Sequence, residues 1–208
     1  MKQEILDALK NLGGNIDNAK DGSLYEDLLS VTFDTVLYAD FHNDFEIWEL
    51  EKFYNENNDL YSSDKNTFSA KLLDKYFRLT RDGMCQEFWD VKMFTPFKKD
   101  TDDYKEWNSI FSDDVFGKCV DLTEIRKITD NTKPDFMFLF ESYGFPDSYF
   151  ICLTDPQPDN PTVFGTDHEG FFREISNRGS LLDFLKNFIS KEKFIEIAIE
   201  DIEKFYRK

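Results

Sequence analysis

The sequence predicts an α+β fold, an antiparallel sheet with helices packed on it and extra helical elements at the N-terminal end. Two short, nearly continuous apolar runs, residues 136–140 and 149–154, are too short for helices and rich in aromatics, which suits strands covered on both faces. Hairpin-length polar links join this part of the chain: Gly144, Pro146 and Asp147 supply one turn, and residues 167–170, ending in Gly170, supply another between runs at 162–166 and 171–176. A helix closes the stretch. Ser180 and Asp183 match the S-x-x-D capping pattern, and Leu181, Phe184, Leu185, Phe188 and Ile189 recur at helical spacing behind them. Between the second and third runs, Pro156, Pro158 and Pro161 fix φ and remove backbone donors, so residues 155–161 form a stiff loop.

The remaining elements follow in order. Ile5, Leu6, Leu9 and Leu12 repeat at helical spacing and stop at Gly13-Gly14. Ser23 and Glu26 form a capping box ahead of Leu24, Leu28 and Leu29, while residues 31–41 are β-branched and aromatic enough for a strand; periodicity leaves helix and strand both open here. Residues 44–54 carry helical periodicity that ends at 55–59, and residues 66–79 form a further helix with Phe68, Leu72, Tyr76 and Leu79 on one face. Residues 84–94 alternate as a half-exposed strand does, and Pro96 ends it. A helix carries Tyr104, Trp107, Ile110 and Phe111 behind an acidic first turn; a strand at 116–122 and a short helical turn at 124–128 come next. A last helix turns Phe194, Ala198, Ile202 and Phe205 inward. No linker-like tract divides residues 1–208, so one domain is expected.

With 42 acidic and 25 basic side chains the chain carries a formal charge of −17, which repels nucleic acid and anionic membranes and attracts basic partners. The same charge also serves to keep a chain with 23 phenylalanines in solution. Cys85, Cys119 and Cys152 are odd in number and two lie in apolar runs, so no disulfide framework is expected and the chain reads as cytoplasmic. Residues 1–12 lack the apolar stretch of a signal peptide, and no segment has the length of a membrane span.

The residues 149–153, 161–164, 167–169 and 180–185, with 120–125 upstream, resemble the closing half of the SMI1/KNR4 (SUKH) superfamily over residues 101–190. That resemblance implies an SMI1/KNR4-like domain and a bacterial immunity protein that neutralises a co-encoded, commonly basic toxin by direct binding. Fungal relatives of the same family imply the alternative, an intracellular regulatory adaptor.

No motif of known catalytic mechanics is present: neither G-x-S-x-G nor a P-loop occurs, and His42 and His168 lack a ligand-spaced second histidine or cysteine pair. A non-enzymatic protein with no cofactor and no metal is expected; a small metal-dependent hydrolase built on His42 and His168 with their neighbouring acids is the competing class. The candidate partner-binding residues are Asp155, Asp159, Asp167 and Glu169, acids on two loops of restricted backbone, together with Tyr143, an aromatic in the turn beside them. Read as one rim, they are expected to meet a basic toxin domain.

Overall fold

A computed structural model describes residues 2–20, 22–40, 47–78, 86–111, 120–142 and 147–206. Its core is a seven-stranded sheet in the order β6-β5-β4-β3-β2-β1-β7, with antiparallel pairing throughout. The strands are β1 (Leu37–Ala39), β2 (Gln86–Phe94), β3 (Phe136–Ser142), β4 (Ser148–Cys152), β5 (Thr162–Thr166), β6 (Ile175–Ser180) and β7 (Phe188–Ile189). Helices α1 (Lys2–Asn11), α2 (Leu24–Ser30), α3 (Leu50–Ser63), α4 (Lys65–Arg78), α5 (Asp102–Phe111), α6 (Thr123–Arg126), α7 (Leu181–Leu185) and α8 (Lys191–Tyr206) pack on it. The chain is α+β, as the short runs and capped helices predict.

Successive side chains on a strand point to opposite faces, and on β3, β4 and β5 both sets are apolar. Met137, Ile151 and Val163 join Ile5, Leu6, Leu9, Leu28, Leu181 and Leu185, so α1, α2 and α7 cover one face. Phe136, Phe138, Phe150 and Phe164 meet Phe94, Trp107, Ile125 and Phe172 on the other, under α5, α6 and the connection between β5 and β6. Leu37 belongs to the first face, so its neighbour Tyr38 belongs to the second, where it stacks on Phe194 of α8 at 4.2 Å and joins Phe68, Leu72 and Tyr76 of α4. On β3 the register against β4 shifts between Phe138 and Phe140, which leaves Leu139 as an extra residue and turns Phe140 to the same face as Met137.

Local signals at the helix ends are realised. Ser23 Oγ accepts from the Glu26 N–H while the Glu26 carboxylate accepts from the Ser23 N–H, and the α1 chain reverses at Gly13, whose φ of 98° needs a residue without Cβ. Of the stretch expected at 31–41, residues 31–40 resolve into the cap of α2 and strand β1, and residue 41 lies outside the described residues.

Several elements differ from the expectation. The helix expected to end at 55–59 continues to Ser63, broken only at Asn57, whose φ is −130° and whose Nδ2 donates to the Phe53 carbonyl. The first part of the expected helix at 44–54, up to residue 46, lies outside the described residues, as do Cys85, Cys119 and most of the strand expected at 116–122; residues 120–122 join no ladder, and the Asp121 N–H donates to the Phe172 carbonyl. The capped helix at Ser180 stops at Leu185, because Phe188 and Ile189 pair with β1 as β7. Phe205 is exposed, and Ile197 is buried instead.

The largest difference is at 171–176. Thr166 Oγ1 accepts from the Phe172 N–H at 2.7 Å, Phe172 takes φ 56°, and its buried ring stands against Trp107, Phe136 and Phe150 at 5.0–5.3 Å. The chain leaves the ladder to insert this ring and returns only at Ile175, so β6 begins four residues late relative to the apolar pair Phe171-Phe172. Phe172→Ala should therefore lower stability by about 3–5 kcal/mol in urea unfolding. A loss below about 1 kcal/mol would show that the ring is not needed to close this face.

Candidate functional site

One row of paired residues crosses the first face of the sheet: Trp89, Phe140, Tyr149, Gly165 and Ser176 lie side by side on β2, β3, β4, β5 and β6. Toward α7 the row is covered, with Tyr149 against Phe184 at 5.0 Å. At the β6 edge Gly165 leaves a gap. A Cβ there would stand 3.0 Å from Arg178 Nε, 3.1 Å from Ser176 Oγ and 3.1 Å from Tyr149 Cε1, so a larger residue would push the Arg178 side chain off its line across the strand. The guanidinium rests over the Tyr149 ring at 5.7 Å. Beside it opens a groove of about 340 Å³ whose wall includes Asp147, Asp167 and Glu174.

The wall is held by hydrogen bonds from the turn after β5. Asp147 Oδ1 accepts from the His168 N–H at 3.1 Å and lies 2.8 Å from His168 Nδ1, while Asp167 Oδ1 accepts from the N–H groups of Glu169 and Gly170. The Asp147 carboxylate raises the His168 pKa above its ordinary value by favouring the imidazolium. Asp147, Asp167 and His168 bring one possible ligand atom each within 4.8 Å of one another, a cation site in outline. The Oδ1 atoms already accept from backbone N–H groups, and that bonding accounts for the cluster as a locked turn.

Behind the groove, in the neighbouring row of the same face, Glu87 pairs across from Ser142 and is 5% exposed. Ser142 Oγ donates to Oε1 at 3.1 Å, while Oε2 has no hydrogen-bond partner among the described residues. Burial pushes the Glu87 carboxyl up to about 7; the bond from Ser142 and the Arg178 charge oppose this, and Asp147 adds to it.

The predicted binding residues do not form one rim. Asp155 is 5% exposed and turned into its own loop, where Oδ1 accepts from the Gln157 N–H and Oδ2 from the Thr162 N–H, both at 2.8 Å. That bonding, together with the prolines, stiffens the loop and removes Asp155 from the surface. Asp159 is exposed but follows β4, whereas Asp167 and Glu169 follow β5. A five-residue strand separates the two loops by roughly 16 Å, so they sit at opposite ends of the sheet. Asp167 and Glu169 are exposed at the groove end; Tyr143 and His42 lie outside the described residues. The residues that join Asp167 there are Asp147, Glu174 and Arg178 with Glu87 behind, none marked by a local motif, since only strand register brings them together.

Scans against protein-family models, curated proteins and solved structures found no match. No helix among the described residues is long and apolar enough to cross a membrane.

Two outcomes follow from the titrating groups. The folded state holds the Glu87 proton more tightly than the unfolded chain, whose carboxyl titrates near 4.5. Stability therefore falls as pH rises from about 4.5 to about 7, and the full penalty, at most about 3 kcal/mol, is present above that window. Glu87→Gln should gain stability over the parent near pH 8 and gain little near pH 4 in urea titrations; an equal change at both would contradict the buried-carboxyl assignment. Asp147→Asn should lower the His168 imidazole midpoint toward its ordinary value in NMR titration, and an unmoved midpoint would exclude the Asp147 contact as its cause.

Proposed function

We propose that the protein acts by binding, as a non-catalytic immunity protein of the SMI1/KNR4 (SUKH) type that captures a basic toxin domain at the groove end of the sheet. The observation that carries this reading is the gathering of Asp147, Asp167 and Glu174 around one groove, with Glu169 exposed on the same turn, in a chain of charge −17. Asp167 and Glu169 stand on the turn after β5, where the N–H groups of His168, Glu169 and Gly170 are already held by the Asp147 and Asp167 carboxylates, so binding orders little further chain there. Carboxylates clustered on a fixed support speed encounter with a cationic surface and align it, which suits an inhibitor that must reach its toxin quickly. The resemblance over residues 101–190 supports the same class, and the antiparallel sheet with packed helices agrees with what that resemblance implies.

The test separates local contacts from the field of the whole molecule. Association with the product of a candidate basic toxin gene is followed by stopped flow near physiological salt, where charges beyond roughly 8 Å are screened. Replacing Asp167, Glu169 and Glu174 by Lys should slow association by about tenfold or more, whereas replacing Glu192, Glu196 and Glu200 on α8 by Lys should change it by less than about threefold. Equal effects of the two sets would show that the groove end is not the contact, and failure of co-expression to rescue growth from that product would end the immunity role.

A further inference from the structure

Arg178 is the one feature of the groove that an acidic rim for basic partners does not explain. Among the described residues its guanidinium makes no hydrogen bond and no ion pair, although Asp147, Asp167 and Glu174 line the same groove; its contact is the Tyr149 ring at 5.7 Å. The position is built: Gly165 keeps the space beneath Nε clear, and Ser176 Oγ, which would also meet a Cβ there, is tied to the Gly165 carbonyl at 3.2 Å. Behind the wall stands the buried Glu87 carboxyl, whose Oε1 accepts from Ser142 Oγ and whose Oε2 is unpartnered among the described residues. A cation with its hydrogen-bonding fork unused and a set of carboxylates therefore face one groove of about 340 Å³ without closing on each other.

We infer that this groove is a binding site for a ligand carrying a carboxylate beside a positively charged group, the carboxylate seated on Arg178 and the cation among Asp147, Asp167 and Glu174. The planar guanidinium, held on an aromatic face, presents parallel N–H donors that match a carboxylate. A simple anion is disfavoured because the wall and the net charge of −17 repel it. A simple cation places like charge beside Arg178. A ligand with both groups satisfies both sides, and the groove volume lies at the low end of the range for small-molecule sites. Two sources offer this chemistry: a free small zwitterion, or an adjacent acid and base on a protein surface. The site shares Asp147, Asp167 and Glu174 with the acidic rim, and Arg178 alone sets it apart, so failure of a test on Arg178 leaves the capture of a basic partner standing.

The experiment is an NMR titration of the full chain, reading the Arg178 Nε–H and the Gly165 N–H, with acetate, ethylammonium, 4-aminobutyrate and a capped Lys-Gly-Glu peptide as probes. At least one of the last two should give saturable shifts at both groups, about tenfold tighter than acetate or ethylammonium. Saturation by 4-aminobutyrate assigns the site to small molecules; saturation by the peptide alone assigns it to a protein surface. Arg178→Gln, a change at an exposed edge strand, should remove the preference over ethylammonium, and Gly165→Ala should weaken binding by about tenfold by displacing Arg178. Absence of saturable shifts with both two-charge probes, acetate binding as tightly as either, or unchanged binding by Arg178→Gln would overturn the inference.

Discussion

The two layers of cover over the centre of the sheet exist because β3, β4 and β5 are apolar on both faces. Met137, Ile151 and Val163 point one way while Phe136, Phe150 and Phe164 point the other, and each set is buried. A sheet with one wet face needs a single layer of helices; this one needs two. The cover comes from distant parts of the chain: α1 and α2 from the N-terminal end and α7 from the C-terminal end on the first face, α5, α6 and the Phe172 ring on the second. The same demand explains why Phe172 leaves the ladder in a left-handed conformation, since burying an aromatic ring offsets the strain of its backbone.

The site occurs where that cover stops. α7 reaches Tyr149 through Phe184, and beyond it the row continues over Gly165, where the Arg178 side chain lies beside Ser176 Oγ and the Tyr149 ring. Glu87 is the electrostatic consequence of a face that is apolar for most of its length and polar at its end: its carboxyl lies inside the boundary and is raised toward neutrality. The free edges are managed separately. β7 is two residues long, and β6 is interrupted by a register shift and by Gly179 at φ 86°, so neither edge offers a long flat ladder for another chain.

Local signals were legible in the sequence wherever local chemistry decides the structure. The capping residues Ser23 and Ser180, the glycine stop after α1 and the runs that become β3, β4 and β5 could all be read directly. Features set by pairing at a distance could not. Phe188 and Ile189 fit a helical stripe as well as they fit β7, and only β1 beside them decides; Phe171 and Phe172 look like the start of a strand until Thr166 captures the Phe172 N–H. The candidate site was half visible for the same reason. Asp167 and Glu169 stand out as turn acids, while Asp155 has the same local appearance yet caps its own loop, and Glu87, Gly165 and Arg178 acquire meaning only from the register of β2 through β6.

The central claim is that the two buried faces form one interdependent unit, and the tryptophans allow it to be measured directly. Trp89 packs in the cluster under α1 and α2, and Trp107 packs in the cluster on the opposite face. Urea unfolding of two variants, one retaining only Trp89 and the other only Trp107, is followed by fluorescence. The account predicts coincident transitions with the same midpoint and slope, because stripping either face exposes strands shared by both. Separate transitions, with one tryptophan released while the other stays buried, would contradict it.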